Sequence, residues 1–125
     1  MHALNQIRRV KFVSVPVTDE DRALEFYTKG LGFEVLTDQS YGEGQRWIEL
    51  GIPRAETRVV LYRPENGDGI GTFQHISFLA DDVEATCREL KKRGVEFTQE
   101  PKTESWGTAA SFKDPDGNTF VLSSK

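Results

Sequence analysis

The same series of predicted strands and helix occurs twice in this chain, at a fixed offset. This repeat limits the fold more than any other feature. An Asp before a helical pattern, an Ala within it and a Gly after it recur 62 positions apart, as Asp19 and Asp81, Ala23 and Ala85, and Gly32 and Gly94. A repeat of this length indicates two copies of one supersecondary unit.

The first copy reads as strand, helix and three strands. Helical signals begin at Asp19, a candidate N-cap, and continue from Glu20 to about Lys29 with apolar residues at helical spacing. Strands are predicted at Ile7–Val17, Phe33–Asp38, Arg46–Leu50 and Arg58–Arg63.

The second copy follows a glycine-rich break. Its helix is capped by Asp81 or Asp82 and continues to about Arg93. Asp114 to Asn118 is a strong turn signal. Strands are predicted at Phe73–Ala80, Val95–Thr98, Thr108–Lys113 and Thr119–Ser123.

The predicted fold class is α+β, with two βαβββ modules forming curved mixed sheets around a shared cleft. Residues 1–125 form one domain, with module one at about 7–63, a linker at 64–72 and module two at about 73–123. Each helix covers one face of its sheet, so the other face must be buried elsewhere. The cleft is therefore expected either within the chain or across a homodimer.

Composition excludes several function classes. The formal net charge is −4 without a basic stripe, so no nucleic-acid partner is expected. A single cysteine, Cys87, excludes an internal disulfide. The sequence has no apolar run near the roughly 20 residues of a membrane span, and its start lacks the apolar stretch of a signal peptide. We therefore expect a cytoplasmic protein without a membrane partner.

Several segments together resemble the vicinal oxygen chelate superfamily, which includes glyoxalase I, extradiol dioxygenases, fosfomycin resistance proteins and bleomycin-binding proteins. The resemblance spans residues 7–123, and its motifs describe the scaffold rather than the chemistry. The segments are Asp19-x-x-x-Ala23-x-x-Phe26-Tyr27, Leu31-Gly32-Phe33, His75-x-Ser77-Phe78, Asp81-Asp82-Val83, Gly94-Val95, Trp106-Gly107 and Phe112-x-Asp114-Pro115-Asp116-Gly117-Asn118.

The resemblance implies where metal-dependent members hold their divalent ion. The four positions lie on the first and last strand of each half, and here they are Phe12, about Leu61, His75 and Val121. Three of these side chains have no ligand atom, and one imidazole cannot hold a divalent metal without further ligands. We therefore expect neither a catalytic metal nor another cofactor.

Two polar residues are candidates for catalysis. His75 is a surviving ligand, a general base or a hydrogen-bonding group, or else a structural histidine. Glu49 either points into the cleft, where it could pair with His75, or faces solvent.

Aromatic residues are candidates for ligand stacking. Trp47 and Trp106 suit a planar ligand, but they also suit sheet or dimer packing. Tyr41 and Phe112 are weaker candidates, for which packing is the alternative. The complete predicted ligand-binding set is Phe12, Ser14, Trp47, Leu61, His75, Ser77, Trp106, Phe112 and Val121.

The sequence thus predicts a small-molecule-binding protein of the glyoxalase and bleomycin-resistance type. Its ligand is partly apolar or aromatic, and it is held in the cleft between the sheets. The alternative is an enzyme of the same superfamily, a metal-dependent lyase or dioxygenase with a non-standard ligand set that includes His75 and Glu49. Metal-free acid–base chemistry at His75, and a structural or regulatory dimer with a filled cleft, also remain open.

Overall fold

The computed structural model describes residues 6–125 of the chain. Module one has one helix and four strands, and its helix ends in a π-helical turn at Phe26–Gly30. The elements are β1 (Phe12–Pro16), α1 (Glu20–Glu25), β2 (Glu34–Ser40), β3 (Arg46–Gly51) and β4 (Arg58–Tyr62).

Module two repeats this order. The elements are β5 (Phe73–Leu79), α2 (Val83–Lys92), β6 (Glu96–Glu104), β7 (Gly107–Lys113) and β8 (Thr119–Ser123).

Neither α-helix in the described part of the chain is long and apolar enough to cross a membrane.

The strands form two mixed sheets of four strands each. Sheet one has the order β1-β4-β3-β2, and sheet two has the order β5-β8-β7-β6. In each sheet the first strand pairs in parallel with the last, and the other pairs are antiparallel. The α+β class and the two βαβββ modules are therefore confirmed.

Two predicted strands have different bounds in the structure. The first was expected to begin at Ile7, but β1 begins at Phe12, which pairs with Arg58, the first residue of β4. A strand needs a neighbour for its backbone hydrogen bonds, and β4, which begins at Arg58, reaches only as far as the Lys11 carbonyl, to which the Arg58 amide donates at 3.0 Å. In contrast, β6 extends beyond Thr98 to Glu104 because β7 pairs with it up to Gly107.

The helix caps correct the offset of the repeat. Asp19 Oδ1 accepts a hydrogen bond from the Arg22 amide at 3.0 Å, and Asp82 Oδ1 accepts one from the Ala85 amide at 2.9 Å. The N-caps are therefore Asp19 and Asp82, 63 positions apart. With this offset, Phe12 in β1 corresponds to His75 in β5.

Each helix packs on one face of its own sheet. Val13 and Val15 of β1, and Val17 just after it, alternate toward the face that α1 covers. Val59 and Leu61 of the paired strand β4 lie on the same face. Sheet two is covered by α2 in the same way through Val83, Cys87, Leu90, Phe97 and Phe112.

The two modules meet through these helix-covered sides. The Tyr27 ring lies edge-on to Phe120 with centroids 6.3 Å apart, and Phe33 lies 5.8 Å from Phe78. Buried polar groups reinforce the junction. The Tyr27 hydroxyl donates to Asp114 at 2.7 Å, and Asn118 Nδ2 donates to the Pro16 carbonyl at 2.8 Å.

We expect Tyr27→Phe to destabilise the junction between the modules. The substitution keeps the buried ring but removes the hydroxyl from Asp114, which has a buried side chain. Losing a buried hydrogen bond to a charged acceptor costs about 1–3 kcal/mol, which urea unfolding followed by circular dichroism can measure. Tyr62→Phe, at a ring that is 40% exposed, is the matched control and should leave the unfolding free energy nearly unchanged.

Candidate functional site

Sheet one has a face that α1 does not cover, and it carries an aromatic pair. Phe12 and Ser14 lie on this face because they alternate with the covered valines of β1. Trp47 reaches the same face from β3, and its ring lies edge-on to Phe12 with centroids 5.6 Å apart. The edge-to-face arrangement is favourable for aromatic rings and leaves ring surface for a ligand.

Glu49 lies beside this pair and is fixed by two donors. Trp47 Nε1 donates to Glu49 Oε1 at 3.1 Å. Arg58, in the neighbouring strand, forms a short ion pair with the other carboxylate oxygen. Glu49 is only 7% exposed, so its carboxylate is a buried acceptor that orients Trp47. Glu49 thus neither faces solvent nor lies free in the cleft.

Arg58 determines the ionisation state of Glu49. The hydrogen bond from Arg58 lowers the pKa of Glu49 and, with the Trp47 N–H, outweighs the burial that raises it. Glu49 is therefore ionised at neutral pH, which suits a fixed hydrogen-bond acceptor better than a proton donor.

The uncovered face of sheet two carries His75, Ser77 and Val121. Ser77 lies opposite Val121 in the register, and its hydroxyl lies 2.7 Å from that of Ser123. His75 lies in a register shift with φ at 61°, a left-handed conformation that is uncommon outside glycine. His75 is exposed, and its ring lies edge-on to Phe73 with centroids 4.6 Å apart.

Leu61 and Phe112, two of the predicted lining residues, lie on the covered faces instead. Leu61 is fully buried opposite Ile48, and Phe112 is 1% exposed against Phe97 and Phe120. Because strand side chains alternate, Val60 occupies the uncovered face in place of Leu61. Val60 pairs with Ser14 as Val121 pairs with Ser77, so these two valines are equivalent in the two modules.

Two further aromatic candidates lie at the ends of strands. Trp106 lies in the turn between β6 and β7 and is 60% exposed, and Tyr41 follows β2 and is 53% exposed. Their exposed rings are accessible to a partner or a ligand.

A single chain does not bring the two candidate catalytic residues together. Because the modules meet through their helix-covered sides, the face with Glu49 and the face with His75 lie on the far side of each sheet from the junction. The cavity that one chain does form between its modules has a volume of about 810 Å³ and a mainly apolar lining. Phe112 and Ser77 border it, but Trp47, Glu49 and His75 do not.

Sequence reasoning missed Arg58, which fixes Glu49 through a partner in the next strand. A charged residue at the start of an otherwise apolar strand was the available signal.

Comparison with known proteins identifies the family. The family model described as Glyoxalase/Bleomycin resistance protein/Dioxygenase superfamily matches residues 9–122. The chain belongs to this superfamily. Its relative YetH from Bacillus subtilis is 37% identical over 93% of this chain and 98% of the relative.

Two further relatives indicate the range of functions in the superfamily. TnmS3, an antibiotic binding protein from Streptomyces sp. CB03234, has a crystal structure that matches with a TM-score of 0.85 at 37% identity, over 96% of this chain and 98% of that one. A probable lactoylglutathione lyase from Synechocystis is 28% identical over 86% of this chain and 88% of its own length.

The residues present do not fit the metal that the family resemblance implies. With the register corrected, the four positions are Phe12, Val60, His75 and Val121, and only the imidazole has a donor atom. Within residues 6–125, no three His, Cys, Asp or Glu side chains are grouped to hold a metal ion.

We expect the ion pair of Glu49 to make stability depend on pH. A carboxylate with a lowered pKa in the folded state stabilises the protein above its unfolded pKa, and this contribution is lost as the pH falls through the folded value. The difference in unfolding free energy between the wild type and Glu49→Gln should therefore shrink as the pH falls from about 6 to about 3.

Urea titrations at several pH values measure this difference. Glu65→Gln, at an exposed site in the linker, is the control for general charge effects. A gap between the wild type and Glu49→Gln that is constant with pH, or that matches the gap for Glu65→Gln, would contradict the prediction.

Proposed function

We propose that this protein binds a partly apolar, planar small molecule without a catalytic metal. The observation that carries the proposal is the Phe12–Trp47 pair on an uncovered sheet face, with Trp47 held by the buried carboxylate of Glu49. Flat aromatic surface and one fixed polar group are what a stacking ligand needs. The similarity to an antibiotic binding protein supports the same class.

The ligand cleft in this proposal forms between two copies of the chain. Sheet one of one copy faces sheet two of the other, so that Phe12, Ser14, Trp47 and Val60 meet His75, Ser77 and Val121 of the second copy. A two-fold axis makes this contact twice and gives a homodimer with two equivalent clefts. The exposed apolar side chains Tyr62, Phe73 and Leu79 support burial of these faces.

Within this cleft the polar groups act as anchors. His75 and Ser77 donate or accept hydrogen bonds from sheet two, and Ser14 does so from sheet one. Trp106 contributes from the rim. Sequestration of this kind needs shape, stacking and desolvation but no bond-making step. The cytoplasmic location and the absence of a nucleic-acid partner stay predictions.

Trp47→Ala should weaken binding of the neutral fluorescent aromatic N-phenyl-1-naphthylamine by about tenfold or more, because a central aromatic contact is lost. Titration of probe fluorescence measures the dissociation constant. Trp47→Phe, which keeps an aromatic ring at this position, is the matched control and should retain most of the affinity. Equal affinities for the wild type and Trp47→Ala would overturn the proposal.

Mixing two defective variants tests whether the cleft is shared between copies. In a dimer of Trp47→Ala with His75→Ala, one cleft carries both substitutions and the other carries neither. Random exchange should therefore restore about a quarter of the wild-type sites. Each variant alone should remain defective, and sedimentation should give the mass of a dimer. No recovery after subunit exchange would contradict a cleft formed between copies.

Metal-dependent lyase or dioxygenase activity is the second candidate, and the relative described as a probable lactoylglutathione lyase favours it. In the proposed dimer, Glu49 and His75 of different copies face one cleft. Elemental analysis of protein purified without chelators separates the two candidates. We expect no stoichiometric divalent metal, whereas one tightly bound ion per chain, lost in His75→Ala, would overturn the metal-free proposal and favour the enzyme.

A further inference from the structure

A second concave site lies where β3 ends on the uncovered face of sheet one. Its volume is about 690 Å³. We call it the arginine pocket because four arginines line it, Arg8, Arg9, Arg54 and Arg58, together with the two acidic residues Glu34 and Glu56. This excess of positive charge contrasts with the net charge of −4 for the whole chain.

Most of the positive charge in the arginine pocket is not paired within residues 6–125. Arg9 donates to the backbone carbonyl of Glu56, and this hydrogen bond fixes the Arg9 guanidinium without neutralising its charge. Arg58 alone is paired with a carboxylate. Among the residues described here, no ion pair joins Arg8, Arg9 or Arg54 to an acidic side chain.

The backbone of Arg54 is held in an unusual conformation. Its φ is 65°, in the left-handed region that few residues other than glycine adopt. A turn in which the Ala55 amide donates to the Ile52 carbonyl at 2.9 Å encloses it. Strain of this kind persists where the surroundings fix the conformation, and it is concentrated at binding sites.

The last residue of β3, Gly51, lines the arginine pocket. A Cβ on Gly51 would lie 3.0 Å from the Leu36 side chain, so any larger residue would crowd the space under Leu36. Gly51 lies opposite both Glu34 and Arg58 in the register, which places the pocket on the same face as Trp47 and Glu49.

The arginine pocket adjoins the aromatic pair. Phe12 is the register partner of Arg58 across β1 and β4, and paired strands lie about 4.8 Å apart. Arg58 also holds the carboxylate that orients Trp47. One ligand can therefore stack on Phe12 and Trp47 and extend a substituent into the pocket.

We propose that the arginine pocket binds an anionic group of the ligand, so that the ligand is an aromatic acid. Arg8 and Arg54, which form no ion pair with another described residue, provide guanidinium donors that suit a carboxylate, sulfonate or phosphoryl group. This inference rests on the proposed function, because the aromatic part of the ligand occupies the cleft described above.

A matched pair of fluorescent probes tests the inference. N-Phenyl-1-naphthylamine is neutral, and 1-anilinonaphthalene-8-sulfonate adds one sulfonate to the same aromatic skeleton. We expect the wild type to bind the sulfonate about tenfold more tightly at low ionic strength and to lose this preference in high salt. The double variant Arg8→Ala/Arg54→Ala should reduce the preference to about twofold or less and leave binding of the neutral probe unchanged.

Arg88→Ala, which removes an exposed charge on α2, is the control and should keep the full preference. Competition with citrate and with inorganic phosphate then distinguishes a carboxylate from a phosphoryl ligand, and displacement of the sulfonate by either anion supports the proposal. The proposal is overturned if neither anion displaces the sulfonate probe. It is also overturned if the preference for the sulfonate probe survives in the double variant, or if Arg88→Ala loses this preference equally. If the neutral probe binds independently of Trp47, the proposed function fails instead.

Discussion

The buried amide of Asn118 determines how the two modules are arranged. It donates to the Pro16 carbonyl in module one and accepts from the Gly71 amide in the linker. Asp114, four residues earlier, accepts from the Tyr27 hydroxyl and from Asn118 itself. These groups are removed from water, so breaking one contact leaves a buried polar atom without a partner, which is unfavourable. The network therefore fixes the helix-covered side of module one against that of module two.

This arrangement leaves each sheet with a face that its own chain does not cover. A sheet with apolar side chains on both faces must bury both against something. On these faces Phe12 and Val121 are partly exposed, and the exposed apolar side chains are Tyr62, Phe73 and Leu79. The proposed dimer follows from this constraint, since a second copy provides the complementary face for each sheet and encloses a ligand site in doing so.

The fold could be predicted because its signals are local. Helix caps, glycine stops and the Asp114–Asn118 turn follow from neighbouring residues. The face on which a strand side chain lies depends on the register with a strand that is distant in the sequence. An error of one residue in this register placed Leu61 where the structure has Val60. The role of Asn118 at the junction between the modules, and the ion pair of Arg58 with Glu49, join residues that no sequence window contains together.

The Glu49–Arg58 pair also explains why stacking suits this face better than proton transfer. A general base works best when its pKa lies near the working pH, and Arg58 holds the pKa of Glu49 below its ordinary value. Both carboxylate oxygens already accept a hydrogen bond, one from Arg58 and one from Trp47. The bond to Trp47 restricts the indole to one orientation before a ligand arrives, which reduces the entropy lost on binding. Arg58 thus withdraws Glu49 from acid–base chemistry, and the carboxylate that Arg58 holds in place keeps Trp47 a fixed surface.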